Sequence, residues 1–127
     1  MAAFLTQEWA NDVNAALEAS EDVRRAVDGA ELTIQQIVTG GPFGETHLWT
    51  KLAGGSAAIG IGDASDADIT MTQDYETACA QNRGELLPQA AFMQGRLKIT
   101  GNMAKLLRDQ EAVSSLQPVL ASVPADY

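Results

Sequence analysis

Few residues of this chain have the chemistry for catalysis. His47 and Cys79 supply its one imidazole and its one thiol, the minimum for a thiol-imidazole nucleophile. His47 falls in an alternating, strand-like segment and Cys79 in a helix-like one, with no catalytic signature around either, so the reading is a protein that is not an enzyme. His47→Ala and Cys79→Ala are expected to leave ligand binding intact. Asp63, Asp66 and Asp68 stand close enough in sequence to invite a calcium loop. Such a loop needs Gly at its sixth position and Glu at its twelfth, where this chain has Asp68 and Asp74, so the match is poor. Zinc needs three or four closely spaced ligands, and His and Cys occur once each, so no metal is expected. Gly60-Ile61-Gly62 is a fragment of a glycine-rich loop without the third glycine or the Lys-Ser/Thr ending. No cofactor is expected.

Charge narrows the partners. The formal net charge is −9 over 127 residues, which opposes a phosphate backbone, so nucleic acid is not an expected partner. Arg96, Lys98, Lys105 and Arg108 gather some positive charge, which reads as a solvated face able at most to make weak contacts with an anionic surface. No run reaches the roughly 18 apolar residues of a membrane span, and no stable membrane insertion is expected. The opening Met1 to Trp9 lacks the basic and apolar regions of a secretory signal, and the closing Pro124 to Tyr127 is no peroxisomal address. The expected location is cytoplasmic. At 46% hydrophobic over this length, residues 1–127 suit one domain able to bury roughly two thirds of its unfolded surface.

The elements that position these residues follow from periodicity. Leu5, Trp9, Val13, Ala16 and Leu17 form one stripe, with Gln7, Asn11, Asp12 and Asn14 opposite, so residues 6–19 read as an amphipathic helix that covers something. Ser20 followed by Glu21-Asp22 reads as the capped start of a further helical stretch ending near Gly29, which closes an N-terminal helical segment, residues 1–29. From 30 to 127 come the sheet and its covering helices. Leu32, Ile34 and Val38 alternate with polar residues, although Gln36 interrupts the apolar face, and a glycine turn leads to a second strand with Leu48, Thr50 and Leu52 on one face and His47, Trp49 and Lys51 on the other. A third strand places Ala57, Ile59 and Ile61 on one face and only Ala58, Gly60 and Gly62 on the other. Glycines so placed mark close approach of a backbone or ligand, or a bulge or bare surface. A fourth strand runs through Ile69 and Met71. Asp74 or Thr72 caps a helix ending near Gly84, and Pro88 opens another.

The stretch Gly84 to Met103 then changes period from helix to strand at Gly95. Leu97 and Ile99 are expected to face the helices, and Ile99→Asp to unfold the domain. One long helix is expected from Asn102 through Leu116, with Met103, Leu106, Leu107, Val113 and Leu116 on its apolar stripe, stopped at Gln117-Pro118. The order predicts an α+β fold: a five-stranded mixed, mostly antiparallel sheet with helices packed on one face. Four consecutive strands joined by short turns are expected to be antiparallel neighbours, with the fifth at an edge or parallel.

The wording from Leu32 to Leu116, above all Asp68-Ile69-Thr70-Met71 and Leu87 through Met103, resembles the sterol carrier protein type two family, in the form of a small stand-alone bacterial-type member. Asn102 stands where an acidic residue is common in that family. The resemblance implies the same α+β fold and a hydrophobic tunnel between sheet and helices holding a fatty acyl chain, a fatty acyl-CoA, a sterol or a similar lipid without chemistry on it. The candidate lipid-binding residues are Trp49, Met71, Phe92, Met93, Ile99, Met103, Leu106 and Leu107. Met71, Met93 and Met103 are unbranched and polarizable, suited to ligands of varied shape, and aromatic surfaces serve apolar pockets. The same residues would serve equally as plain core. Two readings therefore stand: a carrier of a hydrophobic lipid or sterol-like molecule, or a scaffold with a filled core that self-associates, with a homodimer as its simplest form. An accessory subunit in lipid, steroid or quinone metabolism combines them.

Overall fold

The computed structural model describes all of residues 1–127. The chain runs β1 (Ala2–Ala3), α1 (Gln7–Ala19), α2 (Glu21–Ala26), β2 (Leu32–Gly41), β3 (Gly44–Ala53), β4 (Ser56–Ile61) and β5 (Ile69–Asp74). It continues as α3 (Tyr75–Asn82), α4 (Pro88–Met93), β6 (Leu97–Gly101), α5 (Met103–Arg108), α6 (Gln110–Ser114), α7 (Leu116–Ser122) and β7 (Ala125–Asp126). The main sheet has the order β4-β3-β2-β5-β6. Every pairing in it is antiparallel except that of β2 with β5. The fold is thus α+β with a mixed, mostly antiparallel five-stranded sheet.

One expectation about connectivity is corrected. The fourth strand does not pair with the third; it crosses to the far side of β2 and lies parallel to it. The fifth then adds antiparallel to β5 at the edge. Side chains of β2 and of the connection hold the crossing in place. Gln35 on β2 donates to the carbonyls of Leu48 and Gly62 at 3.0 and 3.2 Å and accepts from the amide of Ala64 at 2.6 Å. Asp68 accepts from the Thr33 amide at 2.9 Å, while its own amide donates to the Thr33 carbonyl at 2.8 Å. The aspartate-rich turn is therefore a strap across the sheet.

Four of the seven helices start at a side-chain cap. Thr6 accepts from the Trp9 amide, Ser20 from Val23, Asp74 from Thr77 and Asn102 from Lys105, each satisfying an amide that the first turn leaves free. Gly101 ends β6 at φ 117°, and a Cβ there would run into the carbonyl of Asp68. The long C-terminal helix expected from the periodicity is three short ones. Its breaks fall at Asp109 and Ser115; Asp109 is buried, and its carboxylate accepts from the Glu31 amide at 3.2 Å and pairs with Arg108 at 3.0 Å. Pro118 does not stop the chain but lies in the first turn of α7, where a missing amide proton is harmless.

Asn14, also expected to face solvent, holds the sheet edge instead. Its amide donates to the carbonyl of Ile59 at 2.9 Å and accepts from the same residue's amide at 2.8 Å. The outer edge of β4 is thereby covered by α1, as exposed strand edges must be. β1 and β7, which the periodicity did not reveal, pair in parallel.

Candidate functional site

Pleating divides the sheet into two unlike faces. Leu32, Ile34 and Val38, Leu48 and Leu52, Ile59, Ile69 and Met71, and Leu97 point inward and are buried. The outer face carries Lys51, Lys98 and Thr100, all exposed. On it Trp49 lies opposite Gly60 across the β3–β4 pair, and a Cβ at Gly60 would collide with the indole. The bare glycine face of the third strand is therefore a seat for Trp49.

Between the inner face and the helices is a cavity of about 470 Å³, within the roughly 300–1,000 Å³ usual for small-molecule sites. Ile34, Val38, Leu48, Ile59, Met71 and Leu97 form its floor. Phe4 and Trp9 close it on the α1 side, Leu116 and Leu120 of α7 form a further wall, and α4 and α5 flank the remaining side. Exposure rises toward α4 and α5. Val38 and Leu48 are 1% and 2% exposed, whereas Leu87, Phe92 and Leu107 are 58%, 51% and 67% exposed. The cavity thus opens through an apolar rim.

The thirty lining residues include no charged side chain. An ionised group taken inside would meet no counter-charge, and transferring it from water would be strongly unfavourable. The polar lining consists of amides and hydroxyls, with Gln36, Thr50 and Gln73 on the floor and Gln81 and Asn82 on α3.

Seven of the eight residues expected to bind lipid line this space. Met71 and Ile99 lie on the floor and Leu106 is half-buried in the wall, while Phe92, Met93, Met103 and Leu107 stand at the rim. Trp49 does not line it; strand alternation places its indole on the opposite face, over Gly60. Trp9, Ile34, Val38, Leu48, Ile59 and Leu97 line the cavity unforeseen. Their signal was present in the inward-facing alternation of the strands and in the stripe of the first helix. Gln36, which interrupts that alternation, also lines the cavity.

The titratable residues are engaged elsewhere. His47 contacts Glu45 at 2.7 Å and Asp63 at 2.5 Å, and bonding to Glu45 first and Asp63 second holds its pKa above the ordinary value. Burial pushes the Cys79 thiol up. Tyr75 is raised to about 12, chiefly by burial and then by its bond to Cys79. The Thr33 amide and Lys105 hold Asp68 below the usual carboxylate range. No group of three or more His, Cys, Asp or Glu side chains is placed to hold a metal ion, and no helix is long and apolar enough to cross a membrane.

Comparison with known proteins bears on this architecture. Sterol carrier protein 2 of Gallus gallus is 34% identical over 79 residues, which is 61% of this chain and 14% of that protein. Hydroxysteroid dehydrogenase-like protein 2 of Bos taurus is 32% identical over 102 residues, 80% of this chain and 23% of that protein. This chain therefore spans less than a quarter of either relative. A crystal structure of sterol carrier protein 2 superposes with a TM-score of 0.79 at 26% identity, covering 95% of this chain and 99% of that one. The model of the SCP-2 sterol transfer family matches residues 13–114, from the middle of α1 through α6, and the chain belongs to that family.

Proposed function

We propose that this protein binds a hydrophobic lipid in the cavity and releases it unchanged, with no catalytic step. The observation that carries this reading is a charge-free, largely apolar cavity of about 470 Å³ with an apolar rim. Each methylene that moves from water into it contributes about 0.8 kcal/mol, so a long acyl chain or a fused-ring lipid has ample driving force. The empty volume favours this over a scaffold with a filled core. Membership of a family described as sterol transfer and the likeness to sterol carrier protein 2 support the same class of ligand. The separation of His47 and Cys79 into unrelated bonding partners supports a binding rather than a chemical role.

Native mass spectrometry of the purified protein tests this. Incubation with long-chain lipids is expected to add one lipid mass that is lost on denaturation. Met103, 42% exposed at the rim, can accept a larger side chain without overpacking a core. Met103→Trp should therefore weaken binding while shifting the melting temperature only modestly. Absence of any lipid adduct, with a large melting drop in Met103→Trp, would return the scaffold reading.

A further inference from the structure

The inner face of the sheet carries two polar side chains with unfilled hydrogen-bonding capacity. Gln35, on the outer face, spends its amide on Leu48, Gly62 and Ala64. Gln36, on the inner face, makes no side-chain hydrogen bond within the chain, and neither does the hydroxyl of Thr50; both residues line the cavity. The side-chain atoms that are sealed in protein without a partner belong to Trp9, Gln73 and Gln81 instead. The Gln36 amide and the Thr50 hydroxyl therefore open onto the cavity, and Gln36 is half-buried in the middle of β2.

The register sets the two side by side. Ile34 of β2 is opposite Thr50 of β3, and Gln36 is opposite Leu48. Gln36 and Thr50 are thus diagonal neighbours on one face, about 7–8 Å apart and within reach of a long side chain. Their other neighbours are apolar. Ile34 and Val38 flank Gln36 along β2, Met71 lies beside it on β5, and Ile59 lies beside Thr50 on β4. The pair is a polar island on the three central strands, enclosed by apolar residues along and across the sheet. A lipid that covers it without offering a partner strips both groups of their hydration with no compensation.

Resting on the lipid-binding reading above, we infer that Gln36 and Thr50 form a polar subsite on the cavity floor for an uncharged oxygen, keto or hydroxyl, carried part-way along an otherwise apolar lipid. A keto oxygen can accept from the Gln36 N–H and the Thr50 O–H together, and a hydroxyl can in addition donate to the Gln36 side-chain carbonyl. A carboxylate would find no cation among the lining residues. A bare hydrocarbon leaves both side chains unpaired. The apolar residues on either side of the pair call for apolar ligand on either side of the oxygen, which sets it within the length of the lipid.

Displacement of diphenylhexatriene by heptadecane, heptadecan-9-one, heptadecan-9-ol and heptadecan-1-ol, each delivered from cyclodextrin, tests the inference. One hydrogen bond corresponds to about fivefold in affinity, so the ketone-to-hydrocarbon ratio is expected to fall about fivefold in Gln36→Leu and, separately, in Thr50→Val. Because the ratio is taken within each variant, a general loss of affinity does not mimic the result. Heptadecane should bind both variants at least as tightly as wild type, and neither variant should melt lower, since no bond within the protein is lost. In wild type heptadecan-9-ol should bind at least threefold more tightly than heptadecan-1-ol. Ratios within twofold of wild type in both variants, equal binding of the two alcohols, or a marked melting drop in Gln36→Leu each overturns the subsite while leaving the lipid-binding reading in place. Failure of diphenylhexatriene and all four C17 compounds to bind overturns both.

Discussion

His47 shows how a residue that suggests catalysis can be occupied by electrostatics. The neighbouring carboxylates of Glu45 and Asp63 raise its pKa above the ordinary value, and a raised folded-state pKa means that folding favours the protonated imidazole. That stabilisation is fully present below the unfolded pKa of about 6.5 and is lost as pH rises through the raised folded value. The melting-temperature gap between wild type and His47→Gln should accordingly be wider at pH 6 than at pH 9. A gap that is constant or grows with pH would contradict the assignment. Asp68 behaves in the opposite sense: its lowered pKa gives stability that is present above the unfolded carboxylate pKa and is lost as pH falls through the folded value. Nothing in the local sequence distinguished Asp68 from Asp63 or Asp66, because its partners Thr33 and Lys105 arrive from 35 and 37 residues away.

At the scale of elements, α1 and β6 close opposite edges of the sheet and do so differently. Asn14 supplies both a donor and an acceptor to Ile59 of β4, and removing it leaves two backbone groups to find other partners. Asn14→Ala is expected to cost on the order of 1–3 kcal/mol by urea denaturation, and a change under about 0.5 kcal/mol would show that the clamp is dispensable. On β6 the anchor is Leu97, 3% exposed, rather than Ile99, which is half-buried on the cavity floor. The expectation that Ile99→Asp unfolds the domain is therefore transferred to Leu97. Leu97→Ala should cost about 2–5 kcal/mol, and Ile99→Ala, beside a space already empty, distinctly less. Equal losses at the two positions would argue that the cavity does not reach Ile99. Caps and glycines placed these element boundaries well in advance, since Ser20, Asp74, Pro88, Gly95 and Asn102 act locally. The parallel crossover to β5 and the break at Asp109 were not legible, because both depend on contacts distant in sequence.

For the whole molecule, alternation within the strands was enough to separate an apolar inner face from an outer one, with Gln36 of β2 and Gln73 of β5 as polar exceptions on the inner face. It also set Trp49 on the face opposite Leu48 and Leu52, and naming Trp49 as a ligand contact ran against that pattern. The two tryptophans of the chain consequently exchanged roles: Trp9, read only as part of a covering helix, lines the cavity, whereas Trp49, named as a ligand contact, packs over Gly60 outside it. That exchange supplies the most direct test of lipid binding in the cavity. In ¹H–¹⁵N spectra the chain gives two indole N–H signals, which Trp49→Phe assigns by deleting one. Titration with a long-chain lipid is predicted to shift the Trp9 indole signal saturably and to leave that of Trp49 in place. A saturable shift of Trp49 alone, or lipid binding that moves neither signal, would contradict the placement of the ligand between the sheet and the helices.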